Sequence, residues 1–153
     1  MSLPLSGVAP EQLSDLIGAI YDCVLENGQW EPVLDQTREL LNCANCVLSV
    51  ADMPANSRRA LKIVGVEEPW LGRMGDYCSE ITKLYLGAPD VHTRCLGEPF
   101  TLVGDIDERL LNGNRYVREW GRPQGIVDSI QIFLMRDSSR NAALAFGRHR
   151  SAG

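Results

Sequence analysis

Leu13, Leu16, Ile17, Ile20, Tyr21, Val24 and Leu25 recur at three- and four-residue steps, which predicts an amphipathic helix over 10–26. Pro10 suits its first turn, where a missing N–H costs no hydrogen bond, and Asn27-Gly28 can end it. Pro32 opens a second helix through residue 42, with Trp30, Val33, Leu34, Thr37, Leu40 and Leu41 along one side. The helical period is lost from Cys46 to Ala51, which reads as a strand, and 59–65 reads as its hairpin partner across a turn at Asp52–Ser57 holding Pro54 and Asn56. Trp70, Leu71, Met74, Tyr77, Cys78, Ile81, Leu84 and Tyr85 then form one continuous stripe, predicting a third helix behind a Pro69-containing acidic turn, with Gly87 as its stop and a loop to Pro99.

Phe100–Val103 reads as a short strand. Asp105 and Glu108 have the spacing of a helix cap, for a short helix ended by Gly113, and Asn114 can cap another that carries Tyr116 and Trp120 on one face. Gly121, Pro123 and Gly125 stop it. Residues 126–136 alternate, with Ile130, Ile132 and Leu134 on one face and Gln131, Phe133 and Met135 on the other, before a turn at Asp137–Asn141 and a last strand over 142–149. Strands joined mainly by hairpins make an antiparallel sheet, which helices must cover on at least one face. The expected architecture is therefore α+β, with about five strands in one sheet.

At 153 residues, with 44% hydrophobic and 23% charged, the chain has ordinary proportions for one globular domain over 1–153. The longest useful uncharged run, Leu40–Ala51, is short of the ~20 residues that a membrane-spanning helix needs, and no basic-then-apolar leader opens the chain; a cytoplasmic protein is expected. Net charge is −5, but it is uneven: residues 1–108 hold 7 Lys and Arg against 17 acids, whereas 109–153 hold 8 Arg against 3 acids. Those arginines either present a basic face to an anionic ligand or neighbour, or pair with the acidic remainder. Spread over strands and a short helix, they do not make a groove-sized DNA-reading element, so this domain alone is not expected to bind duplex DNA specifically.

Five cysteines, an odd number, suit a reducing compartment. Cys43 and Cys46 have the spacing of a metal or redox pair, and His92 and Cys95 could complete a tetrahedral set; the alternative is buried inert thiols, since free Cys is among the most buried residue types. Catalytic constellations are thin. His92 and His149 are the only histidines, no Gly-x-Ser-x-Gly or phosphate-cradling loop occurs, and His149 sits among arginines, a poor setting for a general base. Neither an enzyme nor a resident cofactor is expected.

What stands out is Asn114-Arg115-Tyr116-Val117-Arg118-Glu119-Trp120-Gly121-Arg122-Pro123-Gln124-Gly125-Ile126, running straight into a strand. With Ile20-Tyr21-Asp22, Leu25, Trp30-Glu31-Pro32-Val33-Leu34 and Gly97-Glu98-Pro99-Phe100-Thr101-Leu102, this segment resembles the amino-terminal sensor domain of bacterial LuxR-type helix-turn-helix transcriptional regulators. The likeness covers roughly residues 11–149 and is weakest over 43–66. It implies a PAS- or GAF-like fold with a pocket between the sheet and its covering helices. It also implies a sensor that binds a small, partly apolar molecule and signals to a DNA-binding domain or dimer partner. A loop that is commonly Asp-Pro-Trp in that family is Ala88-Pro89-Asp90-Val91 here, so no ligand contact is carried over from it; nor is a helix-turn-helix present in these 153 residues.

The pocket candidates are Tyr77, Ile81, Tyr85, Tyr116, Trp120, Gln131 and Phe133, each of which also has a packing role open to it. Trp120 is expected to be buried, with Arg118 and Arg122 pointing outward. A homodimer is expected from the apolar content of the first helix and from the resemblance to regulators of two-fold sites. The competing readings are a dimerisation module that binds nothing small, and a zinc- or thiol-based sensor.

Overall fold

The computed structural model describes residues 7–152 apart from Pro54, Asn56, Pro89, Val91 and His92. Two helices lead, α1 (Pro10–Leu25) and α2 (Trp30–Leu40), followed by a hairpin of β1 (Asn45–Asp52) and β2 (Ser57–Val64). Then come α3 (Trp70–Arg73), a 3-10 turn (Met74–Tyr77) and α4 (Cys78–Leu86). After β3 (Phe100–Thr101) the chain forms α5 (Leu102–Asp105), α6 (Glu108–Gly113), a π-helical turn (Tyr116–Gly121) and a 3-10 turn (Arg122–Gln124). The second hairpin, β4 (Ile126–Arg136) and β5 (Arg140–His149), closes the chain.

The strands pair antiparallel throughout, in the order β2-β1-β5-β4-β3. This is the expected α+β architecture. The last strand fits between the two hairpins, so β5 is the middle of the sheet: Leu48 pairs with Leu144, which pairs in turn with Ile132. Because side chains alternate along a strand, this register sorts residues onto two faces. The outer face carries Cys46, Leu48, Val64, Leu144 and Phe146, packed against Leu34 of α2. α1 does not reach the sheet; its Leu16 and Cys23 pack on Val33 of α2 instead.

The inner face carries the larger core. Val47 and Ile63 meet Met74, Tyr77, Trp70 and Trp120, while Phe133 and Ala143 meet Leu84, Phe100, Leu102, Ile106 and Leu111. Tyr116 touches both groups and joins them. Trp120 is 1% exposed, and its indole N–H donates to the Trp70 carbonyl at 2.9 Å; Arg118 and Arg122 are exposed, as expected.

Four local expectations are corrected. The third helix is not continuous: Met74–Tyr77 winds as a 3-10 turn between α3 and α4, because the stretch holds Gly72 and Gly75 and its N-terminal turn is bonded through Glu68, whose carboxylate accepts the Gly72 N–H at 3.1 Å. The strand at Phe100 is two residues long, since Thr101 caps α5 by accepting the Gly104 N–H. The cap of α6 is Asp107, which accepts the Arg109 N–H; Asp105 accepts the Thr101 N–H and pairs with Arg94. Finally, a β-bulge lies between Phe133 and Met135, so Met135 pairs with Ala142 and turns to the outer face. The turn expected at Pro54 and Asn56 lies outside the described residues.

Gly125 closes the 3-10 turn in the left-handed conformation at φ 78, and a Cβ there would collide with the His149 ring, so only glycine fits. Trp120→Ala removes the largest fully buried side chain and orphans the Trp70 carbonyl. It is expected to destabilise the fold by roughly 3–5 kcal/mol in a denaturant melt, and a change within error would refute this placement.

Candidate ligand-binding site

The inner layer gathers most of the residues that the sequence singled out. Tyr116 stacks on Trp120 with ring centroids 5.2 Å apart and planes at 16°, and its other neighbour, Tyr77, lies 6.4 Å away. Phe100 stacks on Phe133 at 5.7 Å and meets Tyr85 edge-on at 6.1 Å. Ile81 is half-buried on α4 between Tyr77 and Tyr85, and Gln131 is half-buried on β4, opposite Phe100 on one side and Ala145 on the other. The side chains divide by role. Tyr77 and Trp120 are buried in packing, whereas Tyr85, Tyr116, Ile81 and Gln131 keep partial exposure.

Four residues that sequence reasoning left out complete the layer. Phe100 bridges Tyr85 and Phe133, while Ser49, Ala143 and Ala145 form the floor. Ser49 pairs with Ala143 and Val47 with Ala145, so small side chains cluster on the inner face of the two strands. Their signal was legible in the last strand, where small Ala143, Ala145 and Gly147 alternate with Leu144 and Phe146. β5 is the middle strand and helices lie over this face, yet Ala143, Ala145 and Ser49 all remain half-buried. This part of the floor is lined by small side chains and is not fully sealed by its cover.

The polar groups on this layer are uncharged. Burial alone pushes the Tyr116 phenol up to about 12, and it raises Tyr85 as well, with the neighbouring Tyr116 adding to the effect. Both phenols stay protonated and can donate. Gln131 offers an amide, and Ser49 a hydroxyl. Charge is held at the rim: the Arg136 guanidinium lies 5.1 Å over the Phe133 ring and donates to the Arg94 carbonyl at 2.6 Å, and Arg94 pairs with Asp105. On the opposite side the Tyr77 hydroxyl leaves the layer, accepting from Arg73 at 2.8 Å and donating to Glu119 at 3.4 Å. Arg115 grips Glu119 through two bonds of 3.2 and 3.0 Å and holds its carboxyl below the usual carboxylate range. This clasp ties the π-helical turn to α3 and the 3-10 turn after it, while Asn114, just before the π-helical turn, reaches α4 by donating its amide to the Glu80 carbonyl at 2.8 Å.

Two open clefts among the described residues lie elsewhere. One, of about 320 Å³, runs between α1 and α2, and the other, of about 270 Å³, between α4 and α6. The cysteines are also dispersed. Cys43 and Cys46 are buried beside Leu34 on the outer side. Cys95 is exposed, two residues before Gly97, whose N–H bonds Phe133. From Cys46 that is about 10 Å across two strand spacings and about 10 Å more along β4; His92 lies outside the described residues. Among the described residues no three His, Cys, Asp or Glu side chains gather as metal ligands would.

No protein-family model matches the sequence, and no curated protein sequence does. Solved structures match by fold. The VqsR LBD domain from Pseudomonas aeruginosa shares 22% identity at a TM-score of 0.58, over 94% of this chain and 81% of that one. CepR2 from Burkholderia cenocepacia, an N-acylhomoserine lactone dependent LuxR family transcription factor, shares 13% at 0.57 over the same proportions. SdiA in complex with octanoyl-rac-glycerol shares 13% at 0.56, with this whole chain spanning 58% of that protein. At these identities the likeness is one of fold, and the fold is that of ligand-binding domains of LuxR-type regulators.

The buried thiols give a pH test. Burial, with Cys43 close by, pushes Cys46 from 9.0 up to about 12, and burial raises Cys43 too. The folded chain therefore holds these protons more tightly than the unfolded one. Their contribution to stability is full below pH 9 and is lost as pH rises towards about 12. Cys46→Ala is expected to flatten that alkaline decline in urea melts, and an unchanged slope would refute it.

Proposed function

We propose that this domain is the ligand-sensing unit of a transcriptional regulator, taking a small, neutral, partly apolar molecule between sheet and helices and passing the change to a DNA-binding domain or dimer partner. The observation that carries this reading is the unsealed floor of Ser49, Ala143 and Ala145 on β1 and β5, with Gln131 paired opposite Ala145. Apolar walls with a few placed polar groups are what a small-molecule site requires. Tyr77, Ile81, Tyr85, Tyr116, Trp120, Gln131 and Phe133 are its proposed lining, with Tyr77 and Trp120 as packing supports. The neighbours favour the same reading, since one is described as acylhomoserine lactone dependent and another is bound to octanoyl-rac-glycerol, both neutral amphiphiles. We place the protein in the cytoplasm on the same reading; no helix among the described residues is long and apolar enough to cross a membrane.

A guest that binds only the folded state stabilises it by about 2.7 kcal/mol at a hundredfold excess over Kd. Octanoyl-rac-glycerol and N-octanoyl homoserine lactone are the probes. Either is expected to raise the melting temperature and change tryptophan fluorescence, and Ala143→Phe, which sets a large side chain on this floor, to abolish both effects while leaving the circular dichroism intact. No response to either probe in the unaltered chain would sink this choice of guest; a response that survives Ala143→Phe would move the site elsewhere.

A second reading, a dimerisation module, is favoured by α1, whose Tyr21 is 71% and Val24 76% exposed beside half-open Leu13, Ile17 and Ile20. The two readings combine in a ligand-sensing homodimer. Sedimentation is expected to show a dimer at micromolar concentration that Ile17→Lys with Val24→Lys converts to a monomer; a monomer in the unaltered chain would remove this part of the proposal.

A further inference from the structure

α1 has three sides, and only two have been used. Leu16, Ala19 and Cys23 face α2, and the apolar stripe through Ile17 and Val24 is exposed. Between them runs a column of carboxylates, Glu11, Asp15, Asp22 and Glu26, whose spacing of four, seven and four residues keeps them on one side of the helix and its C-terminal extension. All four are exposed. The first 37 residues contain six acids and no Lys or Arg. Of those six, Asp35 pairs with Arg38 and Glu31 with Lys62, while the column has no cationic partner among the described residues.

At the lower end of the column, where the chain turns through Asn27–Gln29 into α2, lies the cleft of about 320 Å³. Ala19 and Val33 make its floor and Leu25, 84% exposed, an apolar wall; Asp22, Glu26 and Gln29 make its rim. The Gln29 amide reaches Glu26 at 3.4 Å, which holds one side of the mouth in place.

We propose that this cleft is a docking site for a basic amphipathic helix of a partner protein. The volume accepts one aliphatic or aromatic anchor over the seam of Ala19 and Val33, beside Leu25. Lys or Arg one turn to either side of that anchor then reaches Asp22, Glu26 and, further up, Asp15. Charge decides among occupants. A second copy presenting the same patch would set Asp22 and Glu26 against themselves, and phosphate-rich nucleic acid or an anionic bilayer is repelled by an unbroken acidic column. A small cation without an apolar part leaves Leu25 uncovered. The site is separate from the layer between sheet and helices, and the inference does not depend on the identity of a small-molecule guest.

The test uses the full chain, near physiological salt, with a fluorescein-labelled 18-residue peptide of Leu and Lys patterned as an amphipathic helix. Its Glu-for-Lys counterpart and a scrambled peptide of the same composition serve as controls. The patterned Lys peptide is expected to bind with micromolar Kd in fluorescence anisotropy, and the two controls at least tenfold more weakly. Asp22→Asn with Glu26→Gln, and separately Leu25→Ser, are each expected to weaken it tenfold or more; all three positions are exposed, so circular dichroism should be unchanged. No binding, equal binding of the scrambled peptide, or affinity unaffected by both variants would overturn the proposal. Conversion of a dimer to a monomer by Leu25→Ser alone would also overturn it, by assigning the cleft to a second copy.

Discussion

The indole N–H of Trp120 and the carbonyl of Trp70 meet across fifty residues of chain, and the inner half of the molecule depends on that contact. Trp70 begins α3 and Trp120 lies in the π-helical turn, so one hydrogen bond joins the two segments that cover the sheet. Its energy is modest, since a net hydrogen bond contributes about 1 kcal/mol. Its position matters more: a buried indole without an acceptor, and a carbonyl without a donor, each carry a desolvation cost that the fold avoids only with both segments in place. Tyr116 stacks on the same indole, and the Arg115–Glu119–Tyr77–Arg73 clasp ties the outside of the same turn to α3 and the 3-10 turn after it. The cover of the inner face is thus fixed at the tryptophan end.

The distribution of charge follows from the same geometry. In the arginine-rich C-terminal third, Arg115 pairs with Glu119 and Arg140 with Asp52. Arg136 spends its guanidinium on a backbone carbonyl and an aromatic face. The acidic N-terminal helices receive few of these partners because the sheet stands between them and the arginines. An uneven sequence has become a molecule with an electrostatically quiet inner side and an acidic outer corner.

The large elements were legible in the sequence because each carries a long periodic signal. The stripe of α1, the alternation of β1 and the paired strands at the end all survive translation into structure, and the antiparallel sheet follows from their short turns. What escaped was set by neighbours rather than by period. Whether Asp105 or Asp107 caps α6 depends on Arg94, which draws Asp105 away; the inward turn of Phe133 and the outward turn of Met135 depend on one extra residue that alternation cannot reveal. The candidate site was half legible. Aromatic positions announce themselves, but Ser49, Ala143 and Ala145 matter for the volume they do not fill, and that shows only when Ser49 is found opposite Ala143. The α1 stripe points the other way: helical periodicity read it as one amphipathic face, while of that stripe α2 covers Leu16, beside Ala19 and Cys23, which lay outside it.

The π-helical turn has a consequence for kinship. Its Arg122 N–H reaches back five residues to the Val117 carbonyl, so the turn takes up one residue more than an α-turn would. Tyr116 and Trp120 stack nearly parallel within this turn. Asn114 before it and Gly125 after it are both pinned, one to Glu80 and the other beneath His149, so the surplus cannot be passed along the chain. An α-helical homologue would align on both sides of this turn only with a one-residue gap inside it.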